Sequence, residues 1–352
     1  MAMCPQKCIS MKKNALSQFV PKIDKKKCVD CGICEKICPQ LNPLKKSYPR
    51  ECYVAWSRDP NDWITSASGG VATVIARYQL KKNEKMYSCE YNNEVELCHF
   101  CVSNEEDIQK IKSSKYSQSE TYGCYEEIER FLTEGYKVVF VGTPCQCAGL
   151  KRVIKNKSEN LITVDLVCHG VPPTEYLKKH LVEEGINFPI SKVRFRGEFD
   201  QKLTVWSEEG VVYQRDRYDD LYFTAFYQNV ISCNSCFECQ YACPERVSDM
   251  TIGDFWGLGE LGIIEKKSRR PSLILVNTQK GKQLFEDISC DVFYEQRAVE
   301  EGINGNGRLI KASGKNNKAK VFQLLYKCKI FGFNYTVRIL NFLFRKKEKF
   351  FR

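Results

Sequence analysis

No window of eighteen uncharged apolar residues occurs in this 352-residue chain, which argues against a membrane-spanning helix. No G-x-G-x-x-G follows a predicted strand, so the usual fingerprint of a nicotinamide dinucleotide site is missing. The first residues show no signal-peptide pattern, and 20 Cys over this length do not read as the disulfide framework of a small secreted domain. A reduced, cytoplasmic setting is therefore expected. Acidic residues are almost missing from the last stretch. Residues 318–352 hold ten Lys or Arg against Glu348 alone and carry +9 of the net +11. The basic character belongs to a tail, not to the folded body, and no nucleic-acid partner is expected. Histidine stops at three, and His99 and His180 fall in no motif. A hydrophobic content of 43% is ordinary for a globular protein of one or two domains.

What the chain does have is cysteine in a repeated pattern. Cys28, Cys31, Cys34 and Cys38-Pro39 spell C-x2-C-x2-C-x3-C-P, and Cys233, Cys236, Cys239 and Cys243-Pro244 spell it again. This is the bacterial iron–sulfur spacing. Two-residue gaps let one tight loop aim three thiolates inward, while the fourth, before Pro, usually serves a different cluster. Structural zinc is the competing reading, but zinc loops normally join two C-x2-C pairs across a longer gap. The pattern predicts one or two 4Fe-4S clusters and single-electron chemistry. The exit rule weakens Cys243, whose place a distant residue such as Cys145 could take.

Residues 1–48 read as a ferredoxin-like domain, with Pro43 to Pro49 as its linker. Residues 49–310 read as a longer body. A helix is expected from Val71 to about Leu80, strands around the Asn92-Asn93 turn, and buried strands at Lys137–Val141 and Leu161–Val167. Val193–Phe195, Leu203–Trp206 and Val211–Tyr213 look like a β insertion. Tyr218–Val230 reads as a helix, Ser272–Val276 as a strand and Lys280–Asp287 as a helix. Strand, loop and helix in alternation predict an α/β (α+β) body with a mixed, largely parallel sheet. Residues 318–352 form a basic, aromatic C-terminal tail.

Three loops could carry chemistry. Ser66-Ala67-Ser68-Gly69-Gly70 opens the first helix, where backbone N–H groups and hydroxyls suit a phosphate, although N-capping explains the same residues. Gly142-Thr143-Pro144-Cys145-Gln146 lies at the carboxyl end of a strand, where α/β folds place ligands. Cys145 is either a reactive or ligating thiolate at a helix start or a small buried hydrophobe, and Cys147 reads as core. His169 is either a proton donor or a loop ring satisfied by backbone.

Five ordered strings carry a family resemblance: Ser66–Gly70 (SASGG), Ser114–Ser119 (SKYSQS), Val141–Leu150 (VGTPCQCAGL), Asp165–Pro172 (DLVCHGVP) and Glu245–Gly257 (ERVSDMTIGDFWG). Over roughly residues 4–300 the chain resembles the beta subunit of coenzyme F-420 hydrogenase/dehydrogenase with its N-terminal ferredoxin domain. The resemblance implies a flavin and iron–sulfur oxidoreductase with FAD. It makes Ser66, Ser68, Gly69 and Gly70 pyrophosphate contacts, and Gly142, Thr143, Pro144 and Gln146 contacts to the flavin. It places Lys115 near flavin N1 or a phosphate. Arg246 and Asp254 join this set, through an Arg–Asp contact or a ribose hydroxyl, although a strand-end salt bridge explains the same residues, and Trp256 is expected to cover the cofactor or cluster. Cys145, His169 and Lys115 are the implied catalytic groups. Members usually carry two adjacent cluster loops, whereas Met1-Ala2-Met3-Cys4-Pro5 looks like the end of a first loop lacking its other cysteines. Cys4 is then expected to complete Cys28, Cys31 and Cys34, leaving Cys38 without a cluster of its own. Either the start site is misplaced or one cluster has been lost. The family's Gly-Trp pair after the Arg194–Arg196 strand is also missing.

The expected function is a flavin- and cluster-dependent oxidoreductase exchanging hydride with an unidentified small molecule. Bacterial relatives often sit among polysaccharide-synthesis genes. The alternative is an electron-transfer subunit without a substrate of its own, and a metal-stabilised interaction protein is the third reading. An electron-donor or acceptor protein is the expected partner. The tail, aromatic from Val321 to Phe344 and basic at Arg345-Lys346-Lys347, Lys349 and Arg352, reads in two ways. It is either a helix packed on the body or a peripheral contact with anionic lipid at the inner face of the membrane.

Overall fold

The computed structural model describes residues 3–154, 159–197, 200–259 and 271–344. It opens on an antiparallel hairpin, β1 (Ile9–Lys13) and β2 (Phe19–Ile23), in which Ile9 faces Ile23. The segments before and after the hairpin therefore leave at the same end. The first Cys loop follows and closes on a short helix, Ile33–Ile37.

The body contributes β3 (Glu51–Ser57), β4 (Lys85–Tyr91), β5 (Leu97–Val102), β6 (Val138–Gly142), β7 (Leu161–Leu166), β8 (Lys192–Arg194), β9 (Lys202–Ser207), β10 (Gly210–Asp216), β11 (Met250–Asp254), β12 (Ser272–Val276) and β13 (Val292–Arg297). Eight of these build one mixed sheet in the order β13-β3-β12-β11-β7-β6-β4-β5. Its middle strands are short runs of Val, Ile, Leu and Phe, the composition of strands covered on both faces. Pairing is parallel from β4 through β6 and β7 to β11, and antiparallel on both flanks. The sheet is thus mixed as expected, with its parallel part confined to the centre. The expected insertion is a separate antiparallel sheet, β10-β9-β8. The helix expected at 218–230 is shorter, Leu221–Tyr227, because Asp220 caps it by accepting from Phe223 N at 2.7 Å.

The tail is not a separate unit. Helices Asn317–Lys327 and Phe333–Phe344 bury Phe322, Tyr326, Phe333, Val337 and Leu340 in one core with Tyr176, Phe195, Tyr222 and Leu16. The second helix starts where Glu183 accepts from Phe333 N and Asn334 N, at 2.6 and 2.8 Å. Aromatic residues on its inner face are therefore core, not free for a lipid boundary. The basic end, residues 345–352, lies outside the described residues. Among the described residues no helix is long and apolar enough to cross a membrane.

His180 ties this core together. Its ring is fully buried, 3.0 Å from Asp220 Oδ2 and 2.6 Å from Asn334 Oδ1, and Tyr213 OH donates to the same carboxylate at 2.8 Å. Burial works against protonation of the ring, but the hydrogen bond and charge of Asp220 outweigh it and raise its pKa. Asp220→Ala removes the cap and strands the histidine, so it should cost about 3–5 kcal/mol in urea unfolding. The histidine share of that loss should be full below the ordinary histidine pKa and fade as pH rises through the raised one. A loss under about 1 kcal/mol would show that the network does not hold the tail.

Candidate functional site

At the open end of the hairpin, Cys4 and Cys8 lie with their sulfurs 3.4 Å apart. Contact with Cys4, then burial, then nearby Cys28 push the Cys8 thiol up to about 12. Hydrogen bonds from Cys8 hold Cys4 below its usual value, so Cys4 ionises first with Cys8 as its donor. Cys8 thus stands beside both Cys4 and Cys28, at the start of the first loop. Asp30 and Gly32, both at positive φ, turn that loop back on itself around Cys31. Cys38 ends the helix Ile33–Ile37 and leads away. Tyr241 OH donates to Pro39 O at 3.2 Å, and its acidity responds, after burial, to Cys145, Cys239 and Cys38. Cys8 was not anticipated. Its signal is modest: a cysteine one residue before β1, four residues past Cys4.

The second site grows from the centre of the sheet. Strands β6 and β7 are parallel neighbours, so the loops after them emerge at one edge. The first carries Thr143-Pro144-Cys145 into helix Pro144–Ile154, the second carries Cys168-His169-Gly170. The second Cys loop folds over both. Cys145, Cys168, Cys236 and Cys239 line one small cavity, with His169, Tyr241, Arg246 and Arg308 in its wall. Gly170 has φ +95° and would place a Cβ 3.0 Å from Ser232 Oγ and 3.3 Å from Cys236 Cβ, so only glycine lets the two loops meet. Its N–H points to Cys168 Sγ at 3.4 Å.

Two cysteines of the expected set are not in the cavity lining. Cys233 is buried close by, its acidity responding, after burial, to Cys236 and Cys145; its thiol reaches Gln118 Oε1 at 3.6 Å and its N–H donates to Val171 O at 2.9 Å. Cys243 turns towards Glu245 O at 3.3 Å and receives Lys46 Nζ at 3.2 Å. The loop spacing is that of a ferredoxin, and the short helix Asn234–Phe237 follows directly on the Cys233 N–H bond that ties the loop to the Cys168–Pro172 segment. Cys168 was passed over. The signal for it was available: two cysteines, each within a few residues of the carboxyl end of adjacent parallel strands.

Loss of water and mutual charge push the thiols of Cys145 and Cys168 up, and that of Cys236 up to about 11. Such a nest resists holding several thiolates unless a cationic group enters, whereupon the protons leave. Among the described residues no three His, Cys, Asp or Glu converge closely enough for a single metal ion. Zinc would need its sulfurs all about 2.3 Å from one point. A 4Fe-4S cube offers irons at separate corners and takes thiolates set wider apart, which suits four cysteines around a cavity.

The residues expected to hold a flavin fare differently. Ser68 Oγ and Gly69 N are both bound to Ser272 Oγ at 2.9 Å, and Ser66 Oγ meets Thr73 Oγ1 at 3.4 Å. Lys115 Nζ donates to Lys110 O and Lys112 O at 2.8 and 2.7 Å, which makes it a bracket within its own loop. Gln146 accepts from Thr143 and donates to Ser119. Arg246 pairs with Asp165 at 2.9 Å instead of Asp254. Trp256 is 48% exposed. Most side-chain donors of this set are therefore engaged within the protein. Asp254 pairs at 2.7 Å with Arg196, which also donates to Ala67 O at 3.1 Å and Tyr116 OH at 2.8 Å. One unanticipated side chain therefore binds three of the motif strings together. His169 lies beside this group. Loss of water, then Arg308 and Arg196, lower its pKa, partly offset by Asp254.

Gly69 illustrates the change of role. A Cβ there would lie 2.3 Å from Ala55 O and 2.9 Å from Ser272 N. Gly69→Ala should cost about 1–3 kcal/mol of stability in thermal unfolding without any ligand present. Unchanged stability would return the glycine to a ligand-binding role.

Compared with known proteins, residues 135–301 match the family described as the C terminus of the coenzyme F420 hydrogenase/dehydrogenase beta subunit, and residues 21–41 match the 4Fe-4S binding domain. Among solved structures, a chain from the xenon-derivatised F420-reducing [NiFe] hydrogenase complex of Methanosarcina barkeri is similar in fold. It is 18% identical, with a TM-score of 0.50, over 84% of this chain and 93% of that one. No curated protein matches the sequence significantly.

Proposed function

From a chain that carries the C-terminal domain of the coenzyme F420 hydrogenase/dehydrogenase beta subunit over residues 135–301, and a 4Fe-4S binding domain over residues 21–41, we propose an iron–sulfur electron-transfer subunit that works with a protein partner. The observation that carries this reading is the convergence of four cysteines from three separate segments on one cavity. Cys145, Cys168, Cys236 and Cys239 are the proposed ligands there. Cys4, Cys28, Cys31 and Cys34 are those of the N-terminal site. Clusters held this way supply one-electron transfer. The protein's part is to fix and tune them: the Gly170 N–H stabilises a thiolate at Cys168, and Tyr241 ties the Cys38-Pro39 turn to the cavity wall.

A flavin-dependent oxidoreductase is the second reading. Its donors would have to come from the polar mouth, where His169, Arg308, Arg196 and Asp254 meet, and not from the set first expected. The two readings separate on anaerobically purified protein. Iron and sulfide without flavin, and none retained after incubation with FAD, support the electron-transfer subunit. Stoichiometric FAD moves the function to the oxidoreductase.

Ligand assignments follow from single substitutions. Cys145→Ser and Cys168→Ser should each lower bound iron by about four per chain, while Cys243→Ser leaves it unchanged. The reverse pattern refutes the cavity set. At the N-terminal site, Cys4→Ala should lose about four irons, whereas Cys38→Ala and Cys8→Ala keep them. Iron loss in Cys38→Ala but not in Cys4→Ala would sink that assignment.

A further inference from the structure

Arg308 sits in the turn Gly307–Leu309, beyond the segment that matches the family, and its half-buried side chain lines the cysteine cavity. Its hydrogen bond goes from Nη2 to the neutral Asn229 Oδ1 at 2.9 Å, and among the described residues no carboxylate pairs with it. The neighbouring arginines differ: Arg246 has Asp165 and Arg196 has Asp254. A guanidinium withdrawn from water is costly unless an opposite charge meets it. It cannot escape the cost by losing its proton. In the cavity wall Arg308 shares the lining with Cys145, Cys168, Cys236 and Cys239, so the charge it can meet there is that of thiolate sulfur.

We propose that Arg308 is the counter-charge of the cysteine nest, a positioning residue that acts through Cys168 and favours the more negative, reduced state of whatever the four thiolates hold. The proposal rests on the iron–sulfur reading of the cavity. It needs no electron or proton beyond those of that reading, because the residue acts by charge alone. Loop length explains why it could not be read earlier: Arg308 is 140 residues from Cys168, in a turn without a recognisable motif. Two other roles are open to such a residue. It could brace Asn229 alone, or it could bind an anionic substrate at the mouth beside His169.

The test uses full-length protein and redox titration followed by electron paramagnetic resonance, with the N-terminal cluster as internal reference. R308Q should lower the midpoint potential of the cavity cluster and leave the N-terminal one in place. R308K should recover most of the shift. Asn229→Ala, which removes the brace but not the charge, should leave both potentials unchanged. Failure of R308Q to load iron, with loading restored in R308K, also supports a charge requirement. The proposal is overturned if R308Q holds full iron at an unchanged potential, if both clusters shift together, or if R308K fails as R308Q does. An altered KM for an anionic substrate at unchanged potential overturns it in favour of a binding role. Iron in the wild-type cavity is counted separately with Cys168→Ser, so a cavity without iron defeats the parent reading and is told apart from a failure of Arg308.

Discussion

The buried ion pair between Arg246 and Asp165 is the contact on which the rest of the site depends. Both side chains are nearly inaccessible, at 2% and 0%. Asp165 stands on β7, in register with Gly142 on one neighbour and Thr251 on the other. Arg246 also reaches Thr251 Oγ1, Tyr241 O and Cys243 O. One guanidinium therefore joins the central strand, the end of the second Cys loop and β11. Removing either partner would leave a charge in the interior with nothing to meet it, which is far costlier than the pair is worth when intact. The cysteine loop is held over the strand ends by this anchor. The N–H of its first cysteine, Cys233, ties it in addition to Val171 O at 2.9 Å.

Two nests of sulfur are held by different physics. The N-terminal one is open, built from a loop and a hairpin end, and its Cys4–Cys8 pair shares a proton. The cavity nest is built from strand ends and is poor in water, so the thiols of Cys145, Cys168 and Cys236 resist ionisation. Burial and sulfur hydrogen bonding are the main levers on a cluster's potential. A chain with one exposed and one enclosed site thus offers two different electronic environments.

Much of the fold was legible. The strands at 137–142, 161–166 and 272–276 are dense runs of Val, Ile and Leu, and such runs have few alternatives to a covered sheet. The helix at 221–227 was over-extended because nothing in the local pattern marks Asp220 as a cap committed to His180 and Tyr213. The site was half legible. Spacing singles out the second Cys loop but not the direction of each sulfur, which depends on how a four-residue helix docks on a segment about sixty residues earlier. Ser68, Gly69, Lys115 and Gln146 lie in the family strings, yet they are engaged within the protein: the first two with Ser272, Lys115 within its own loop, and Gln146 with Ser119 of another string. Arg196 and Arg308 carry no spacing signal at all. They are defined by partners that only the folded chain brings near.

The stretch joining the two parts has its own consequence. Ser47 and Arg246 exchange backbone hydrogen bonds at 2.8 Å in both directions, and Gln240 Nε2 donates to Pro39 O at 2.9 Å. Arg152 reaches Asn42 O and Pro43 O from the other side. A ferredoxin module on a slack tether would have to diffuse to its contact, and its throughput would fall in viscous solvent. Here the tether is stitched down along its length. The gap between the two sulfur nests is set at folding, so traffic across it should be indifferent to viscosity and paced by whatever docks outside.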